Sequence, residues 1–127
     1  MSGRLTKYIV EQVVLNHGSV YNPVFLYGSQ KRISELMDEI EERAAKTKKA
    51  ICRVCGSDFV EQIISDFVNH FSTEHMKRYM QCDLLLFEDI GYLSGRAGAL
   101  EAIYYLIDYL YEHNRQMVFS ARMPLRD

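Results

Sequence analysis

The chain has 127 residues, of which 48% are hydrophobic and 25% charged, and its formal net charge is −2. These values predict one globular domain over residues 1–127 that buries about two-thirds of its unfolded surface without disulfide bonds. The small net charge excludes a strong general attraction to nucleic acid, and the apolar runs are too short for a membrane span. Because the N-terminus also shows no signal pattern, we expect a cytoplasmic protein.

The hydrophobic pattern predicts helices that alternate with strands. Apolar side chains repeat at helical spacing over residues 8–14, and turn residues at 16–19 end this first helix. Short apolar runs and amphipathic stretches then follow one another along the chain. Strands are expected at 24–27, 51–54, 84–87 and 117–119, and helices at 33–44, 59–71, 73–80 and 100–111. The helix near residue 59 is expected to be capped by Ser57 or Asp58.

This alternation, with its short connections, predicts an α/β fold. Parallel strands need crossover connections that cover both faces of the sheet, so we expect a three-layer sandwich with a parallel sheet of about four strands. Ligands in such sheets bind at the carboxyl ends of the strands. Four chemically distinctive residues fall at those ends, namely Gly28, Glu88, Asp89 and Ser120. The sequence therefore predicts a site at this edge of the sheet.

The three cysteines allow two interpretations. Cys52 and Cys55 fall in the predicted second strand, where a spacing of three turns their side chains to opposite faces. Their spacing is also that of half a zinc knuckle. A zinc site needs four ligands, however, and only Cys82 and four scattered histidines remain. Core cysteines are therefore favoured over a zinc site.

Residues 21–28 read YNPVFLYG, and residues 83–93 read DLLLFEDIGYL. The first segment resembles the start of the ATPase domain of the bacterial replication initiator DnaA, an AAA+ protein, and the second resembles the Walker B segment of that domain. From Phe59 to Arg122 the chain can be laid on the family pattern without a gap. The resemblance implies a P-loop NTPase (AAA+) core that lacks the lid. Helicase loaders share this core, but the unbroken match over the helix pair at 59–80 favours the initiator.

The resemblance assigns Glu88 and Asp89 to the two Walker B acids, which in the family hold magnesium and help to polarise water. Taken without the resemblance, these acids equally suit polar residues that cap a buried strand. Asp89 is the candidate metal ligand. We interpret both acids as vestigial, because the phosphate-binding half of the site is not preserved.

The turn at residues 27–34, YGSQKRIS, departs from the phosphate-binding motif. That motif, G-x-x-x-x-G-K-[ST], surrounds the phosphates with successive amides and one lysine. If the apolar stripe of the following helix is kept in phase with the family pattern, the loop is one residue short. Ile33 then takes the position of the lysine, and Ser34 takes that of the magnesium-binding hydroxyl. If Lys31 is taken as the lysine, the loop glycines are lost. Gly28, Lys31 and Ser34 thus form a degenerate phosphate loop, and no cofactor is expected beyond weak binding of ATP or ADP with magnesium.

Two further positions follow from the resemblance. The family's sensor strand ends in Ser or Thr, then Ser and Asp, whereas here Ser120 is kept and Arg122 replaces the Asp. Lys77, Arg78 and Tyr79 fall in the helix pair that touches single-stranded DNA in the family. Basic side chains beside an aromatic ring suit backbone and stacking contacts, although an ordinary solvated helix turn has the same composition.

Two surfaces are candidate protein interfaces. On the last long helix, Tyr104 and Tyr111 fit the core stripe, whereas Tyr105 and Tyr109 point elsewhere and suit a partner surface. In the family a fifth strand flanks the first. Residues 24–27 are therefore expected to form an exposed sheet edge that pairs with another copy, as a homodimer, or with a strand from a partner.

Two functional hypotheses remain. The favoured one is a non-catalytic DnaA-like module that binds a protein, such as the initiator itself, during replication initiation, with weak contact to single-stranded DNA. The alternative is a divergent ATPase or nucleotide switch whose missing positive charge comes from Lys31, Arg32 or a neighbouring subunit.

Overall fold

The computed structural model describes residues 3–15, 21–70 and 72–122. Within these ranges the helices are α1 (Gly3–Leu15), α2 (Gln30–Ala45), α3 (Gly56–Val68), α4 (Glu74–Met80) and α5 (Ala97–Glu112). The strands are β1 (Val24–Tyr27), β2 (Ile51–Cys55), β3 (Leu84–Glu88) and β4 (Gln116–Ala121), and a 3₁₀ turn at Ile90–Leu93 follows β3. The predicted alternation of strands and helices is confirmed. The predicted end of the first helix, at 16–19, lies outside the described residues.

The four strands form one parallel sheet in the order β1-β4-β3-β2. Leu86 in β3 lies between Arg53 of β2 and Val118 of β4, and Val118 in turn pairs with Val24 of β1. This register brings the carboxyl ends of all four strands to one edge. It also puts β1 at the side of the sheet, as expected for residues 24–27.

Helices cover both faces of the sheet, which confirms the predicted three-layer sandwich. Side chains alternate along β3, so Leu84 and Leu86 pack under α1 and α2 whereas Leu85 and Phe87 pack under α3, α4 and α5. All four are at most 1% exposed. Burial on both faces explains why the strand is an uninterrupted apolar run.

A row of aromatic rings runs through the layer formed by α3, α4 and α5. Phe87 lies at its centre, with ring centroids 5.7 Å from Phe119 and 5.2 Å from Phe59. The row continues from Phe59 to Tyr79 at 5.9 Å, and from Phe119 to Phe25 at 5.5 Å. Such rings bury large apolar areas and gain further from edge-to-face and offset packing.

Helix α3 begins earlier than predicted. It starts at Gly56 with Cys55 as its N-cap and has no side-chain cap, so the predicted cap at Ser57 or Asp58 is wrong. A Cβ atom on Gly56 would lie 2.5 Å from the carbonyl oxygen of Asp89. The close approach of two backbones, which the sequence pattern does not report, therefore sets the helix start.

The outer side of α3 is less buried than its composition suggested. Phe59 is buried, but Ile64 is 57% and Phe67 65% exposed. Phe71, the last member of the predicted apolar stripe, lies outside the described residues. Phe59 of α3 is thus buried in the core, whereas Ile64 and Phe67 form an exposed apolar surface.

Helix α5 is rotated relative to the prediction. Its core face consists of Ala99, Ile103, Leu106 and Leu110. Tyr104 and Tyr111 are 62% and 60% exposed, so their predicted place in the core is wrong. Tyr105 is also exposed, as expected, whereas Tyr109 packs against the core. Smaller aliphatic side chains fit the limited space between α5 and the sheet, and the tyrosines flank them.

Polar side chains fasten the start of β1 to β4. Asn22 donates to the carbonyl oxygen of Arg115 at 2.6 Å and accepts from the amide of Met117 at 2.8 Å. Gln116 donates to the carbonyl oxygen of Tyr21 at 2.7 Å. None of the described helices is long and apolar enough to cross a membrane.

We expect Phe87→Ala to lower the free energy of unfolding by about 3–5 kcal/mol, because it empties the centre of the aromatic row. The matched control is Tyr104→Ala, which removes an exposed ring and should change stability by less than about 0.5 kcal/mol. Urea denaturation monitored by circular dichroism measures both values. Equal losses in the two variants would contradict the packing described above.

Candidate functional site

A cleft of about 200 Å³ opens at the carboxyl ends of the strands. It is lined by Gln30, Ile33, Cys55, Ser57, Glu88, Asp89, Ser120, Ala121 and Arg122. The fold therefore brings the two acids and the two sensor-strand residues together where the sequence predicted. Gly28 lies in the turn before α2, and Lys31 and Ser34 lie near the start of that helix. None of the three lines the cleft.

The connection between β1 and α2 consists of two residues, Gly28 and Ser29. Ser29 is the N-cap of α2, and its hydroxyl oxygen accepts from the amide of Arg32 at 3.3 Å. The carbonyl oxygen of Ser29 accepts from the amide of Ile33 at 3.0 Å. Residues 30–33 are thus the first turn of a capped helix, and two of their amides are bonded within that helix.

The side chains of this first turn point in different directions. Ile33 is buried and belongs to the core under α1 and α2, while it also forms part of the wall of the cleft. Lys31 and Arg32 are exposed, and Ser34 is half-buried. The aliphatic side chain of Ile33 therefore forms part of the cleft wall, whereas Lys31 does not line the cleft.

Glu88 is held by an arginine from the neighbouring strand. Arg53 donates from Nε to Oε1 of Glu88 at 2.6 Å, and from Nη1 to Asp38 at 2.7 Å and to Glu41 at 2.9 Å. Strand alternation puts Arg53 and Glu88 on the same face, because their strands pair in parallel register. The guanidinium group thus lies among three carboxylates.

The electrostatics of this cluster favour charged Arg53. Partial burial lowers the pKa of Arg53, but hydrogen bonds to Glu88, Asp38 and Glu41 outweigh it and raise the pKa further above the usual range. The side chains of Arg53 and Glu88 are 21% and 25% exposed, so solvent screens this pair less than a surface pair. Glu88 is therefore paired with a cation that belongs to the chain and that also serves Asp38 and Glu41.

Asp89 has a different environment. Its backbone is left-handed, with φ of 59°, and its amide donates to the hydroxyl oxygen of Ser120 at 3.1 Å. The close approach of Gly56 to its carbonyl oxygen holds this turn from the other side. No described residue forms an ion pair with the carboxylate of Asp89. Ser120, which is 3% exposed, thus positions the backbone at Asp89.

The cysteines do not form a metal site within the described residues. No group of three or more His, Cys, Asp or Glu side chains there is placed to hold a metal ion. Cys52 packs against the core under α3 to α5, and Cys55 contacts Ser57 at 3.3 Å in the cleft, so the two lie on opposite faces as predicted. A hydrogen bond from Cys82 lowers the pKa of Cys52 to about 7.

The predicted DNA-contact residues differ in exposure, although the guanidinium group of Arg78 lies 5.3 Å from the centre of the Tyr79 ring. Lys77 and Arg78 are exposed on α4, but Tyr79 is 1% exposed and its hydroxyl group donates to Gln62. The ring of Tyr79 packs beside Phe59, so it is not available to stack on a base, and this part of the prediction is corrected. Tyr79 is drawn into the core because it ends the aromatic row.

Sequence reasoning missed Arg53 as a site residue. The available signal was a single charged residue within the otherwise apolar strand sequence ICRVC. A charge in such a strand needs a partner on the same face of a neighbouring strand, and Glu88 supplies it. The alternation of strands and helices does not fix the strand order β1-β4-β3-β2, which makes β2 and β3 neighbours, so the sequence does not reveal this partner.

Comparison with known proteins agrees with this architecture. The family described as the bacterial DnaA ATPase domain matches residues 1–126. The chromosomal replication initiator protein DnaA of Deinococcus radiodurans is 31% identical over 113 residues, which is 87% of this chain and 24% of that protein. The chain thus spans about a quarter of the length of such relatives.

Solved structures give the same result. The AMPPCP-bound DnaA of Aquifex aeolicus superposes with a TM-score of 0.87 at 26% identity, over 94% of this chain and 38% of that one. A replication initiator DnaA bound to AMPPCP and single-stranded DNA gives the same values of 0.87, 26%, 94% and 38%. The parallel sheet, the residues at its carboxyl edge and the family match lead to one conclusion: the chain belongs to the family of bacterial DnaA ATPase domains.

Proposed function

We propose that this chain is a non-catalytic DnaA-family module that acts in replication initiation through protein contacts. The observation that carries the proposal is the start of α2 at Gln30, two residues after β1. A phosphate loop needs a stretch of non-helical backbone whose amides converge on the phosphates, together with a lysine. Here the backbone is helical from Gln30, Ser29 caps it, and Ile33 faces the cleft.

The loss in affinity can be estimated. Hydrogen bonds to charged groups contribute about 1.5–3 kcal/mol each, so the absence of the lysine and one or two loop amides removes on the order of 3–6 kcal/mol. At about 1.4 kcal/mol for each factor of ten, the dissociation constant rises by roughly two to four powers of ten. A micromolar site would become a site near the millimolar range.

The magnesium half of the site supports the same proposal. Nε of Arg53 lies 2.6 Å from Oε1 of Glu88. A divalent cation could therefore bind this carboxylate only by displacing the guanidinium group. Asp89 would then be the one Walker B acid left for magnesium, with waters and phosphate oxygens supplying the other ligands. The cleft, at about 200 Å³, is also smaller than the roughly 300–1,000 Å³ of typical ligand pockets.

A divergent nucleotide switch is the second candidate. The free carboxylate of Asp89 and the presence of Ser120 and Arg122 at the cleft favour it. Two structures similar to this chain were solved with AMPPCP. In this alternative Lys31, Arg32 or Arg122 would supply the positive charge that the loop lacks.

Partners follow from the family and from the surface. We propose the replication initiator itself as the protein partner and a cytoplasmic location, because replication initiation is the role of the relatives. Weak contact with single-stranded DNA through Lys77 and Arg78 stays a prediction, supported by their exposure on α4 and by a similar structure that contains single-stranded DNA.

Titration of ATP with magnesium by isothermal calorimetry tests the non-catalytic assignment. We expect no saturable binding below about 100 μM, because the lysine and loop amides that supply the affinity are absent. Micromolar binding that Asp89→Asn abolishes would instead establish the nucleotide switch.

Replacement of Arg53 tests whether its ion pair with Glu88 stabilises the fold. We expect Arg53→Met to lower the free energy of unfolding by about 1–3 kcal/mol, because it leaves Glu88, Asp38 and Glu41 facing one another without a cation. Millimolar calcium or magnesium should recover part of the loss in the variant and leave the parent chain unchanged.

The matched control is Arg43→Met, which removes an exposed pair with Glu39 at 3.3 Å and should cost less than about 0.5 kcal/mol. Thermal unfolding with and without the divalent cation measures all three proteins. An Arg53→Met variant as stable as the Arg43→Met variant would contradict the description of the carboxylate cluster.

The edge strand β1 leads to a separate proposal of a homodimer. Phe25 and Tyr27 are 44% and 49% exposed on a strand whose backbone pairs on one side with β4. An unpaired edge of this kind favours strand addition. Light scattering at high concentration should give about twice the 14.8 kDa mass of the chain, and Tyr27→Lys, which puts a charge on the exposed edge, should shift it to monomer. A monomeric parent chain would contradict this proposal.

A further inference from the structure

A second concavity, larger than the cleft at the carboxyl ends of the strands, lies in the layer formed by α3, α4 and α5. It has a volume of about 720 Å³ and runs between α3, α4 and the first half of α5. Its apolar lining consists of Ile63, Phe67, Met76, Met80, Ala102 and Tyr105. None of its lining residues contributes to the cleft at the carboxyl ends of the strands. We call this feature the α3–α5 groove.

A buried carboxylate lies in the wall of the α3–α5 groove. Asp66 is 7% exposed, and its Oδ1 atom lies 2.7 Å from Nδ1 of His75. Its Oδ2 atom is buried and has no hydrogen-bond partner among the described residues. Buried polar atoms in folded proteins are nearly always hydrogen-bonded, so an unpartnered carboxylate oxygen beside an open apolar groove indicates a missing donor.

The apolar surface continues beyond the groove. Phe67 stands at its rim with 65% exposure, and Ile64 and Val68 on the same helix are 57% and 70% exposed. Tyr105 on α5 borders the other side and is 60% exposed. A surface of exposed apolar side chains around a concavity is typical of a protein interaction site, and it extends further than a small molecule would cover.

The charges in the groove discriminate between partners. Asp66 and Glu101 line it, and Lys77 is the cation among its lining residues. Carboxylates repel the phosphate backbone of a nucleic acid, whereas an ammonium or guanidinium group satisfies the free oxygen of Asp66. The long apolar stem of lysine or arginine also fits an apolar wall with a buried acceptor.

We propose that the α3–α5 groove binds an amphipathic helix of a partner protein, with one lysine or arginine of that helix donating to Oδ2 of Asp66. The apolar face of the helix packs against Phe67, Met76 and Tyr105, in the manner of helix-in-groove recognition. This inference rests on the proposed function, in which the chain acts through protein contacts, and it names the chemistry of the partner.

A displayed library of helical peptides tests the proposal. Selection on the full chain should enrich peptides with one Lys or Arg among apolar residues at spacings of three and four. Asp66→Asn keeps the shape of the side chain and removes its charge, so enriched peptides should bind this variant at least ten times more weakly. Replacing the peptide's basic residue with norleucine should weaken binding to the parent chain and leave binding to Asp66→Asn nearly unchanged.

Phe67→Ser provides a second variant, because the exposed ring is removed without disturbing the core. It should also weaken peptide binding at least tenfold, whereas the control Tyr111→Ser, which alters an exposed tyrosine that does not line the groove, should have no effect. Circular dichroism verifies that each variant is folded.

Two outcomes would overturn the inference. One is that no peptide is enriched, or that the enriched peptides bind both groove variants as well as the parent chain. The other is that an oligothymidine binds the groove, with Phe67→Ser weakening it and Asp66→Asn strengthening it, which would assign the surface to nucleic acid. Tight ATP binding in the calorimetric experiment would overturn the proposed function alone and leave these peptide results interpretable.

Discussion

The short connection between β1 and α2 shapes the carboxyl edge of the sheet. Helix α2 starts at Gln30, and the hydroxyl and carbonyl oxygens of Ser29 bond to the amides of its first turn. These bonds stabilise the helix end by satisfying donors that a phosphate loop would leave pointing at its ligand. Ile33 in the same turn is buried in the core. The packing of α2 therefore places an aliphatic side chain, and not a lysine, beside the cleft.

The two acids at this edge, Glu88 and Asp89, have different surroundings. Arg53 lies between Glu88 on the sheet and Asp38 and Glu41 on α2, and it fastens that helix to β2 and β3. Glu88 therefore contributes to the fold. The other, Asp89, is positioned through its backbone by Ser120 and by the close approach of Gly56. The family's scaffold is thus retained while its two acids have separate surroundings.

Much of the fold was predictable from the sequence because apolar periodicity reports burial directly. The run at 84–87 predicted a strand buried on both faces, and the match from Phe59 to Arg122 predicted the family. Features that depend on contacts between distant segments were not predictable. The tyrosines of α5 illustrate this, since helical spacing alone did not distinguish the face of Ile103 from that of Tyr104. The pairing of Arg53 with Glu88 required the strand order, and the burial of Tyr79 required the position of Phe59.

In the proposed function, this domain keeps the fold of the DnaA ATPase domain but does not bind a triphosphate tightly. A crystal structure grown with millimolar AMPPCP and magnesium tests it most directly. The account predicts that α2 still starts at Gln30, that Arg53 still bonds to Glu88, and that no ordered triphosphate lies at the turn. A triphosphate bound by the amides of residues 28–33, with magnesium on Glu88 or Asp89 and Arg53 turned away, would contradict it.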